Sequence, residues 1–400
     1  MEYDPEKNSF NTIGFTEFKK SEKQFRKYKH RKVDDFQGLL DFNSITDAEL
    51  ESHQITKTYL KNINNPDESA PLLTCYNFSW PKGLMLIKNY LSPIRQIDIT
   101  LNAMNNWINK PQRTNLFIYE DQNLKQNSTA PKNFKAIQAK IVDDENRFFF
   151  QRAIRWVNVG KQYDWPNRCY MSPITELPEL LQELSNEGVK QFGIEDYNPE
   201  AVIVNFYDIS DNMGGHLDDG EPDQIHPIIS YSIGNSCVFL IGGQTKEIKP
   251  HAIKLDGGDI LIMSREARLS YHGVPRVIEN TFPREIFEKA LEDAGIDWKN
   301  EKLDQEVLND FGLRKNGYRH IMNYLEQSRI NINIRQVFLK GEEDDILLQK
   351  TVMPNQKIAN QKIQEELKQK LDQDSLNENS DFLKAEKENF ADKDGSSIKK

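Results

Sequence analysis

The stretch Gly214-Gly-His-Leu-Asp-Asp219 brings two potential metal ligands together, because one residue separates His216 from Asp218. In a β-strand, residues i and i+2 point to the same face, so both side chains can reach one cation. A further histidine, His272, follows in the stretch Tyr271-His-Gly-Val-Pro-Arg276. Two imidazoles and one carboxylate form the facial triad that binds iron(II) and leaves coordination positions open. The sequence therefore predicts an Fe(II) site made of His216, Asp218 and His272.

A lone His-x-Asp pattern is weak evidence, because it recurs by chance in many proteins. The alternative interpretation is a polar loop in which His216 and Asp218 cap a turn. Two further patterns in the chain favour the metal site.

The first pattern is the segment Arg329-Ile-Asn-Ile-Asn-Ile-Arg335, in which polar and apolar residues alternate strictly. This period is typical of a half-buried strand, with the isoleucines on one face and the arginines and asparagines on the other. The polar face is either a solvated edge or a surface that binds an acid, since arginine recognises carboxylates through paired hydrogen bonds. Arg329 and Arg335 lie roughly 20 Å apart at about 3.3 Å per residue, so they cannot both clamp one end of a small ligand directly. With long side chains that reach inward, they could serve a dicarboxylate and its metal end.

The second pattern is Ala201-Val-Ile-Val-Asn-Phe-Tyr207, which predicts an apolar strand ending in Asn205 and Tyr207. These two residues are again at positions i and i+2. Their amide and phenol groups can hydrogen-bond a bound acid. The alternative is a strand end whose last side chains lie in water.

Taken in order, the Asn-x-Tyr, His-x-Asp, distal His and Arg-x-Asn-x-x-x-Arg motifs resemble those of the AlkB-type Fe(II)/2-oxoglutarate-dependent dioxygenases, and most closely the AlkB homologue 1 subgroup of nucleic acid dioxygenases. The resemblance covers most of residues 20–340, and it includes the segments Phe25–Lys29, Gly38–Phe42, Ile154–Gly160, Tyr163–Trp165, Phe239–Gly243, Gly258–Ser264 and Arg335–Val337. Two positions depart from the family pattern. Asn333 stands where the family usually has Thr, and Gly220 stands where several relatives carry Asp.

The resemblance implies a mainly β chain with flanking helices (α+β), built around a double-stranded β-helix, or jelly-roll, core. It implies that the three triad residues are the catalytic iron ligands, and that 2-oxoglutarate is bound by Asn205, Tyr207, Arg329, Asn331 and Arg335. Within this set we assign Arg329 to the distal carboxylate and place Arg335 nearer the metal end or in a supporting shell. The implied cofactors are Fe(II), 2-oxoglutarate as cosubstrate, and O₂.

The resemblance also implies an activity on nucleic acid. In this family 2-oxoglutarate is decarboxylated to succinate and CO₂ while a methyl group on a nucleobase is hydroxylated, and the product can lose formaldehyde. The substrate implied is methylated tRNA or DNA, and the bases known for the subgroup include N1-methyladenine, N6-methyladenine and 5-methylcytosine.

A base that is modified in this way must be flipped out or single-stranded, and it then stacks on aromatic or apolar groups. We expect the base to contact Tyr163, Trp165, Tyr170 and Lys246. The alternatives are ordinary core packing for the three aromatic residues and a solvated loop for the lysine.

Two other functions remain open from the sequence. The first is a 2-oxoglutarate-dependent protein hydroxylase, which the missing zinc-knuckle and RRM signatures leave possible. The second is a catalytically silent nucleic-acid-binding module, and the intact triad argues against it.

The composition limits the partners and the cellular compartments that we expect for the protein. The chain has 400 residues, 37% of them hydrophobic, and a net charge of −10, which disfavours indiscriminate binding to phosphates. It has no apolar run long enough to span a membrane, and its acidic start argues against a secretory signal and weakens a mitochondrial one. Three scattered cysteines (Cys75, Cys169 and Cys237) favour a reducing compartment. We therefore expect a monomer of the nucleus or cytoplasm that does not associate with membranes.

Residues 16–32 differ from this acidic background, with eight lysines and arginines against Glu17 and Glu22. Phe18, Phe25 and Tyr28 fall at helical spacing, so we expect an amphipathic helix. Its basic face is either solvated, with the helix docked on the core, or part of an arm that touches nucleic-acid backbone or serves as a nuclear address.

We divide the chain into a basic N-terminal helical arm (1–45), an extension and lid (46–150), a dioxygenase domain (151–340) with a helical insertion at about 283–327, and a charged, partly disordered tail (341–400). Residues 45–75 are polar and compatible with helix, whereas Leu84–Lys88 predicts a strand followed by a helix through Trp107. A short helix is expected over 178–184, and 201–275 predicts the antiparallel strands of a barrel or jelly roll.

Overall fold

Two β-sheets that share a hydrophobic core form the centre of the structure. The computed structural model describes residues 3–4, 9–10, 14–28, 34–62, 69–116, 153–164, 169–171, 175–194, 196–301 and 316–339. All of these belong to one compact unit, Met1–Gly341. No helix within these ranges is long and apolar enough to cross a lipid bilayer.

The larger sheet has nine strands, and each runs antiparallel to its neighbours. Numbered in chain order, the strands lie side by side as Ile55–Leu60 (β4), Leu73–Phe78 (β5), Leu84–Ile87 (β6), Ile260–Met263 (β16), Ile228–Gly234 (β13), Ser328–Arg335 (β18), Ala201–Asp208 (β11), Trp156–Gly160 (β8) and Arg113–Thr114 (β7).

The smaller sheet has five strands, in the order Met213–His216 (β12), His272–Val277 (β17), Cys237–Ile241 (β14), His251–Leu255 (β15) and Leu39–Leu40 (β3). Its pairs are antiparallel except for β3, which runs parallel to β15. Two small hairpins pair Tyr3–Asp4 (β1) with Ser9–Phe10 (β2), and Gln162–Asp164 (β9) with Cys169–Met171 (β10).

The helices are Glu17–Phe25 (α1), Asp47–Ser52 (α2), Pro93–Asn102 (α3, continued by a π-helical turn over Ala103–Trp107), Glu179–Gln191 (α4), Arg265–Arg268 (α5), Arg284–Asp293 (α6) and Tyr318–Leu325 (α7). The first three begin at Thr16, Thr46 and Ser92, whose side-chain oxygens accept a backbone N–H of the first turn. Such caps satisfy donors that the helix itself leaves unpaired.

Three hydrophobic clusters show how the layers stack. One lies between α3, α4, α6, α7 and the outer face of the larger sheet, and it holds the three isoleucines of β18. The second joins the two sheets, with Phe239 and Ile253 from the smaller and Leu86 and Leu261 from the larger. The third seats α1 on the outer face of the smaller sheet. The space between the sheets is where the polar faces of β11 and β18 point.

Several sequence predictions are confirmed here. The strand at Leu84–Ile87 with its following helix, the helix after Pro178, the antiparallel strands from 201 onward and the helices within 283–327 are all present. The chain is mainly β with flanking helices, as the sequence predicts.

The prediction of helix over residues 45–75 is wrong beyond Ser52. Only α2 is helical, and the rest of the described segment forms β4 and the start of β5. β4 is the outermost strand of its sheet, so most of its side chains are polar and not fully buried, and the hydrophobic alternation of a strand is weak. Within the extension, the stretch 110–146 is the part expected to form a loop or lid, and it lies outside the described residues beyond Leu116. The whole tail, 341–400, lies outside them as well.

Candidate metal and cosubstrate site

The three predicted metal ligands converge at one edge of the smaller sheet. His216 ends β12 and is the direct cross-strand partner of His272, which begins β17. Asp218 lies two residues beyond the end of β12, so irregular backbone and not a continued strand brings its carboxylate to the two histidines. The ligand atoms of the three residues all lie within 4.8 Å of one another.

Both imidazoles present the same nitrogen to this centre. His216 Nδ1 lies 3.0 Å from the carbonyl oxygen of Gly214, and His272 Nδ1 lies 3.0 Å from that of Ser270. A protonated Nδ1 that donates to a carbonyl leaves Nε2 free to bind a metal. The two Nε2 atoms lie 3.6 and 3.8 Å from the carboxylate oxygens of Asp218.

The charges around the triad favour the protonation states that a metal requires. Burial alone would raise the pKa of Asp218, but Arg335 and the two histidines outweigh it and hold that pKa well below its usual range. Burial, together with the neighbouring His216, lowers the pKa of His272 to about 4. Asp218 is therefore ionised and His272 neutral near pH 7, as metal ligands must be. A set of two imidazole nitrogens and one carboxylate oxygen suits iron(II).

A cavity that is partly open to solvent adjoins the triad. All three candidate metal ligands and all five predicted 2-oxoglutarate residues line it. Its remaining walls come from Ile203, Met213, Ser230, Phe239, Leu255, Met263, Gly273, Val274 and Asn333. The solvated-edge alternative for the polar face of β18 is therefore wrong, because β18 is a central strand and this face points between the sheets.

Arg329 is buried in this cavity with its charge unbalanced. It is 1% exposed, and its guanidinium donates to Ser232 Oγ at 2.8 Å and to the carbonyl of Asn235 at 3.2 Å. No carboxylate pairs with it among the described residues, and its Nε has no hydrogen-bond acceptor there. A buried cation without a counter-charge is costly, so the site favours an anionic ligand at this end.

Arg335, at the other end of the same face, is already paired. Its Nη2 lies 3.3 Å from Asp218 Oδ2, and its Nη1 donates to Glu221 Oε1 at 2.8 Å. Arg335 therefore lies beside the carboxylate of a candidate metal ligand, and its placement nearer the metal end or in a supporting shell stays a prediction.

Sequence reasoning missed two residues of this network, Glu221 and Arg268. Arg268 Nη2 donates to Glu221 Oε2 at 2.9 Å, and its Nη1 donates to the Asp218 carbonyl at 2.5 Å. Both side chains are almost fully buried, at 2% and 1% exposure. The only signal in the sequence was their closeness to Asp218 and His272, since neither stands in an alternating pattern.

Polar residues of the neighbouring strands β11, β18 and β13 lie side by side on the cavity face of the larger sheet. Asn205 and Tyr207 of β11 face Asn331 and Arg329 of β18 as direct cross-strand partners. Asn331 Nδ2 donates to Ser230 Oγ at 2.8 Å, and Asn333 Nδ2 donates to Asn331 Oδ1 at 2.9 Å. The Asn333 position, which departs from the family pattern, thus supports a neighbouring cavity residue through a hydrogen bond.

The four residues predicted to contact a base do not share one location, unlike the candidate metal and 2-oxoglutarate residues. Tyr163 and Tyr170 are cross-strand partners in the β9–β10 hairpin, with ring centroids 5.0 Å apart. Tyr170 is 4% exposed and donates to Glu221 Oε1 at 2.5 Å, so it supports the buried charges and offers no open face for stacking. Trp165 lies outside the described residues. A Cβ on Gly220 would come within 2.7 Å of the Tyr163 ring.

Lys246 is exposed in the loop between β14 and β15 and does not line the cavity. Its Nζ lies 5.0 Å from the centroid of the Tyr271 ring, next to His272 in the chain. Its carbonyl accepts the N–H of Phe18 from α1.

Comparison with known proteins gives a consistent result. Residues 83–335 match the family model of the 2OG-Fe(II) oxygenase superfamily. The chain is similar to the DNA N(6)-methyladenine demethylase ALKBH1A of Arabidopsis thaliana, with 30% identity over 369 residues that cover 81% of this chain and 96% of that protein. It is 31% identical over 219 residues to the tRNA demethylase abh1 of Schizosaccharomyces pombe, covering 52% and 72% of the two chains. The nucleic acid dioxygenase ALKBH1 of Homo sapiens is 33% identical over 187 residues, or 46% of each chain.

Proposed function

The chain belongs to the 2OG-Fe(II) oxygenase superfamily, and from this premise we propose that it is a nucleic acid dioxygenase that removes methyl groups from bases of DNA or tRNA. One observation carries the proposal. The three candidate metal ligands and a buried arginine without a carboxylate partner among the described residues face the same cavity. The relatives named above supply the substrate class.

We propose the following roles for the residues of the cavity. His216, Asp218 and His272 hold Fe(II), which when bound supplies O₂-dependent oxidation coupled to decarboxylation of 2-oxoglutarate. Arg329 pairs with the distal carboxylate of 2-oxoglutarate, which would balance its charge. The remaining cosubstrate residues, Asn205, Tyr207 and Asn331, hydrogen-bond the ligand along the cavity floor.

Arg335 acts indirectly in this scheme, because it keeps Asp218 ionised and aligned toward the two histidines. The apolar walls of the cavity limit contact between the cosubstrate and bulk water, which strengthens the charge pairs inside. The methyl group of the base would have to reach the open side of the cavity beside the three metal ligands. One oxygen atom of O₂ would hydroxylate it while the other enters succinate, and the resulting N-hydroxymethyl group would break its bond to the base nitrogen and leave as formaldehyde.

We also propose that the two facing sheets are the halves of a double-stranded β-helix. Support comes from their antiparallel pairing and from the placement of the site between them. The boundaries at 45, 150 and 340 remain proposals. Strands from both sides of residue 150 share the nine-stranded sheet, so the extension and the dioxygenase region form one framework. A monomer of the nucleus or cytoplasm remains a prediction.

The test is succinate production with Fe(II), 2-oxoglutarate and O₂ against a panel of tRNA and DNA oligonucleotides that carry single methylated bases. A matched panel of proteins and peptides distinguishes the nucleic acid dioxygenase from the alternative of a protein hydroxylase. Succinate with formaldehyde release on an oligonucleotide supports the proposal. Turnover on a protein or peptide alone would favour the protein hydroxylase alternative. If 2-oxoglutarate is not consumed under any condition, the alternative of a catalytically silent nucleic-acid-binding module would be favoured.

Loss of any one ligand should end the reaction, because a facial triad has no spare protein ligand. We expect His216→Ala, Asp218→Ala and His272→Ala each to reduce succinate to background while circular dichroism shows a folded chain. His226→Ala is the control, since His226 pairs with Asp223 outside the triad and should keep turnover. Normal turnover in a folded triad variant would contradict the assignment.

A further inference from the structure

Helix α1 packs against the outer side of the strand that carries His216. Its buried Phe18 and Phe25 seat it on the smaller sheet, against Val238 and Leu240 of β14. From this position the carboxylate of Glu22 reaches β12. Helix α1, which the sequence predicts as basic and amphipathic, therefore lies next to the candidate metal site.

β12 needs such support, because it is the edge strand of its sheet and its pairing with β17 is irregular. Met213 pairs with Val274, and His216 pairs with His272. Two residues lie between these pairs on β12, but only Gly273 lies between them on β17. An extra residue of this kind, a β-bulge, is left out of the ladder of hydrogen bonds. Gly214 and Gly215 occupy this position.

The peptide unit between Gly214 and Gly215 is held from both ends. Its N–H, which belongs to Gly215, donates to Glu22 Oε1 at 2.5 Å. Its carbonyl, which belongs to Gly214, lies 3.0 Å from Nδ1 of His216. The carboxylate, the peptide and the imidazole thus form one chain of hydrogen bonds that ends at the metal-facing Nε2.

We propose that Glu22 is a positioning residue for the metal ligand His216, acting through the Gly214–Gly215 peptide. The inference rests on the proposed metal site. Carboxylates that accept the outer N–H of a metal-bound histidine fix its tautomer and ring orientation and make it a stronger ligand. Here a peptide stands between the two groups, and hydrogen bonds in such a chain polarise one another.

Close packing keeps this peptide in place. A Cβ on Gly215 would lie 2.3 Å from Phe18 Cε1, and one on Gly273 would lie 3.1 Å from the Gly215 nitrogen. The peptide therefore fits between α1 on one side and β17 on the other. Glu22 is itself 7% exposed, and its second oxygen accepts Lys19 Nζ at 2.5 Å.

The same helix offers a matched control. Glu17 pairs with Lys20 at 2.6 Å with the same i,i+3 spacing, but its side chain is 42% exposed. Glu17→Ala removes an equal charge and an equivalent ion pair from α1. Among the hydrogen bonds of the described residues, Glu17 makes none to β12.

The experiment measures Mn(II) affinity of the full chain from the free Mn(II) signal in electron paramagnetic resonance. We expect Glu22→Ala to raise the dissociation constant roughly tenfold, the lower end of losses seen when such supporting groups are removed. Glu17→Ala should stay within about twofold of the original chain. The apparent KM for 2-oxoglutarate at saturating metal should be unchanged in both, because its predicted ligands lie on the other sheet.

Glu22→Gln keeps an acceptor oxygen for Gly215 without the charge, and we expect a dissociation constant between those of the original chain and Glu22→Ala. If Glu22→Ala does not fold, Glu22→Gln decides the question: weaker Mn(II) binding supports the proposal and original affinity overturns it. Equal affinities for Glu22→Ala and Glu17→Ala overturn it as well. Failure of the original chain to bind Mn(II), or binding that survives His216→Ala, would instead reject the metal site itself.

Discussion

Arg329 and Arg335 lie on the same face of β18, yet their electrical surroundings are opposite. Arg335 is balanced by Asp218 and Glu221, whereas Arg329 meets a serine hydroxyl and a carbonyl but no carboxylate among the described residues. Arg329 therefore carries the unbalanced charge, at the end of the cavity where we propose that the distal carboxylate of 2-oxoglutarate binds. It also means that the two arginines should respond differently to substitution.

We expect Arg329→Lys to raise the apparent KM for 2-oxoglutarate tenfold or more, about 1.4 kcal/mol, because lysine cannot form the paired hydrogen bonds of a guanidinium. Mn(II) affinity should be unchanged, since Arg329 does not touch the triad. The measurement is succinate formation at varied 2-oxoglutarate. An unchanged KM together with weaker oligonucleotide binding would reassign Arg329 to substrate contact.

At the level of elements, Glu221 ties three separate parts of the chain together. It accepts hydrogen bonds from Tyr170 of β10, Arg268 of α5 and Arg335 of β18. Burial would raise its pKa, but Arg335 and Arg268 lower it overall, so Glu221 remains ionised. The network therefore fixes the hairpin and the short helix beside the metal centre.

Removal of the Glu221 charge should destabilise the fold strongly. Glu221→Gln leaves two buried guanidinium groups with too little negative charge, and we expect a loss of about 3–5 kcal/mol in the free energy of unfolding by urea. Glu183→Gln is the control, because its bridge to Arg95 has the same 2.9 Å length but lies at the surface. The control should lose less than about 1 kcal/mol. Similar losses in both variants would show that the buried network adds nothing.

At the scale of the whole molecule, three lysines in the described part of the basic segment form ion pairs and a fourth is buried. Lys19, Lys20 and Lys27 pair with Glu22, Glu17 and Glu279, and Lys23 is buried with its Nζ 5.7 Å from the Tyr28 ring centroid. The prediction of a helix docked on the core is confirmed, although α1 ends at Phe25 and Tyr28 follows it. Contact with nucleic acid stays a prediction.

If the basic face of α1 and the residues after it contacts phosphates, the double variant Lys20→Gln/Lys27→Gln should bind oligonucleotides more weakly. The dependence of its affinity on salt should also be weaker. Each lost phosphate contact lowers the slope of log affinity against log salt concentration by about 0.7 to 0.9, and up to two contacts would be lost. Uncoupled 2-oxoglutarate turnover should persist. Lys57→Gln combined with Lys299→Gln removes the same charge from other elements and serves as control. Equal slopes and affinities in the two double variants would leave α1 as a solvated, docked helix.

The stability of the metal-free protein should depend on pH in a defined window. Burial lowers the pKa of both His251 and His272 to about 4, from an ordinary value of 6.5. Between pH 4 and pH 6.5 these two histidines are protonated in the unfolded chain but not in the folded chain. The free energy of unfolding therefore falls as the pH drops from 6.5 to 4. Urea unfolding at several pH values with chelator should show this decline, with a shallower slope in His251→Gln. Identical slopes would contradict the assignment to His251.

Local sequence patterns were enough to predict the candidate site residues and most of the strands that carry them. The alternation of 329–335 is a local feature, because side-chain direction in a strand follows from local backbone geometry alone. The spacing of His216 and Asp218 marked two residues that do lie together, although Asp218 lies beyond the end of β12 and strand geometry is not the reason. Local signals failed in 45–75, because an outer strand buries too little to show a hydrophobic pattern.

The balance of charges at the site and the support of β12 depend instead on contacts between distant parts of the chain. Glu22 and Gly215 are separated by 193 positions, and Arg335 and Glu221 by 114. No periodicity links residues so far apart, since their meeting depends on how sheets and helices pack. The different surroundings of Arg329 and Arg335 and the hydrogen bond from Gly215 to Glu22 thus appear only in the folded chain, because burial and partner distance depend on how the layers pack.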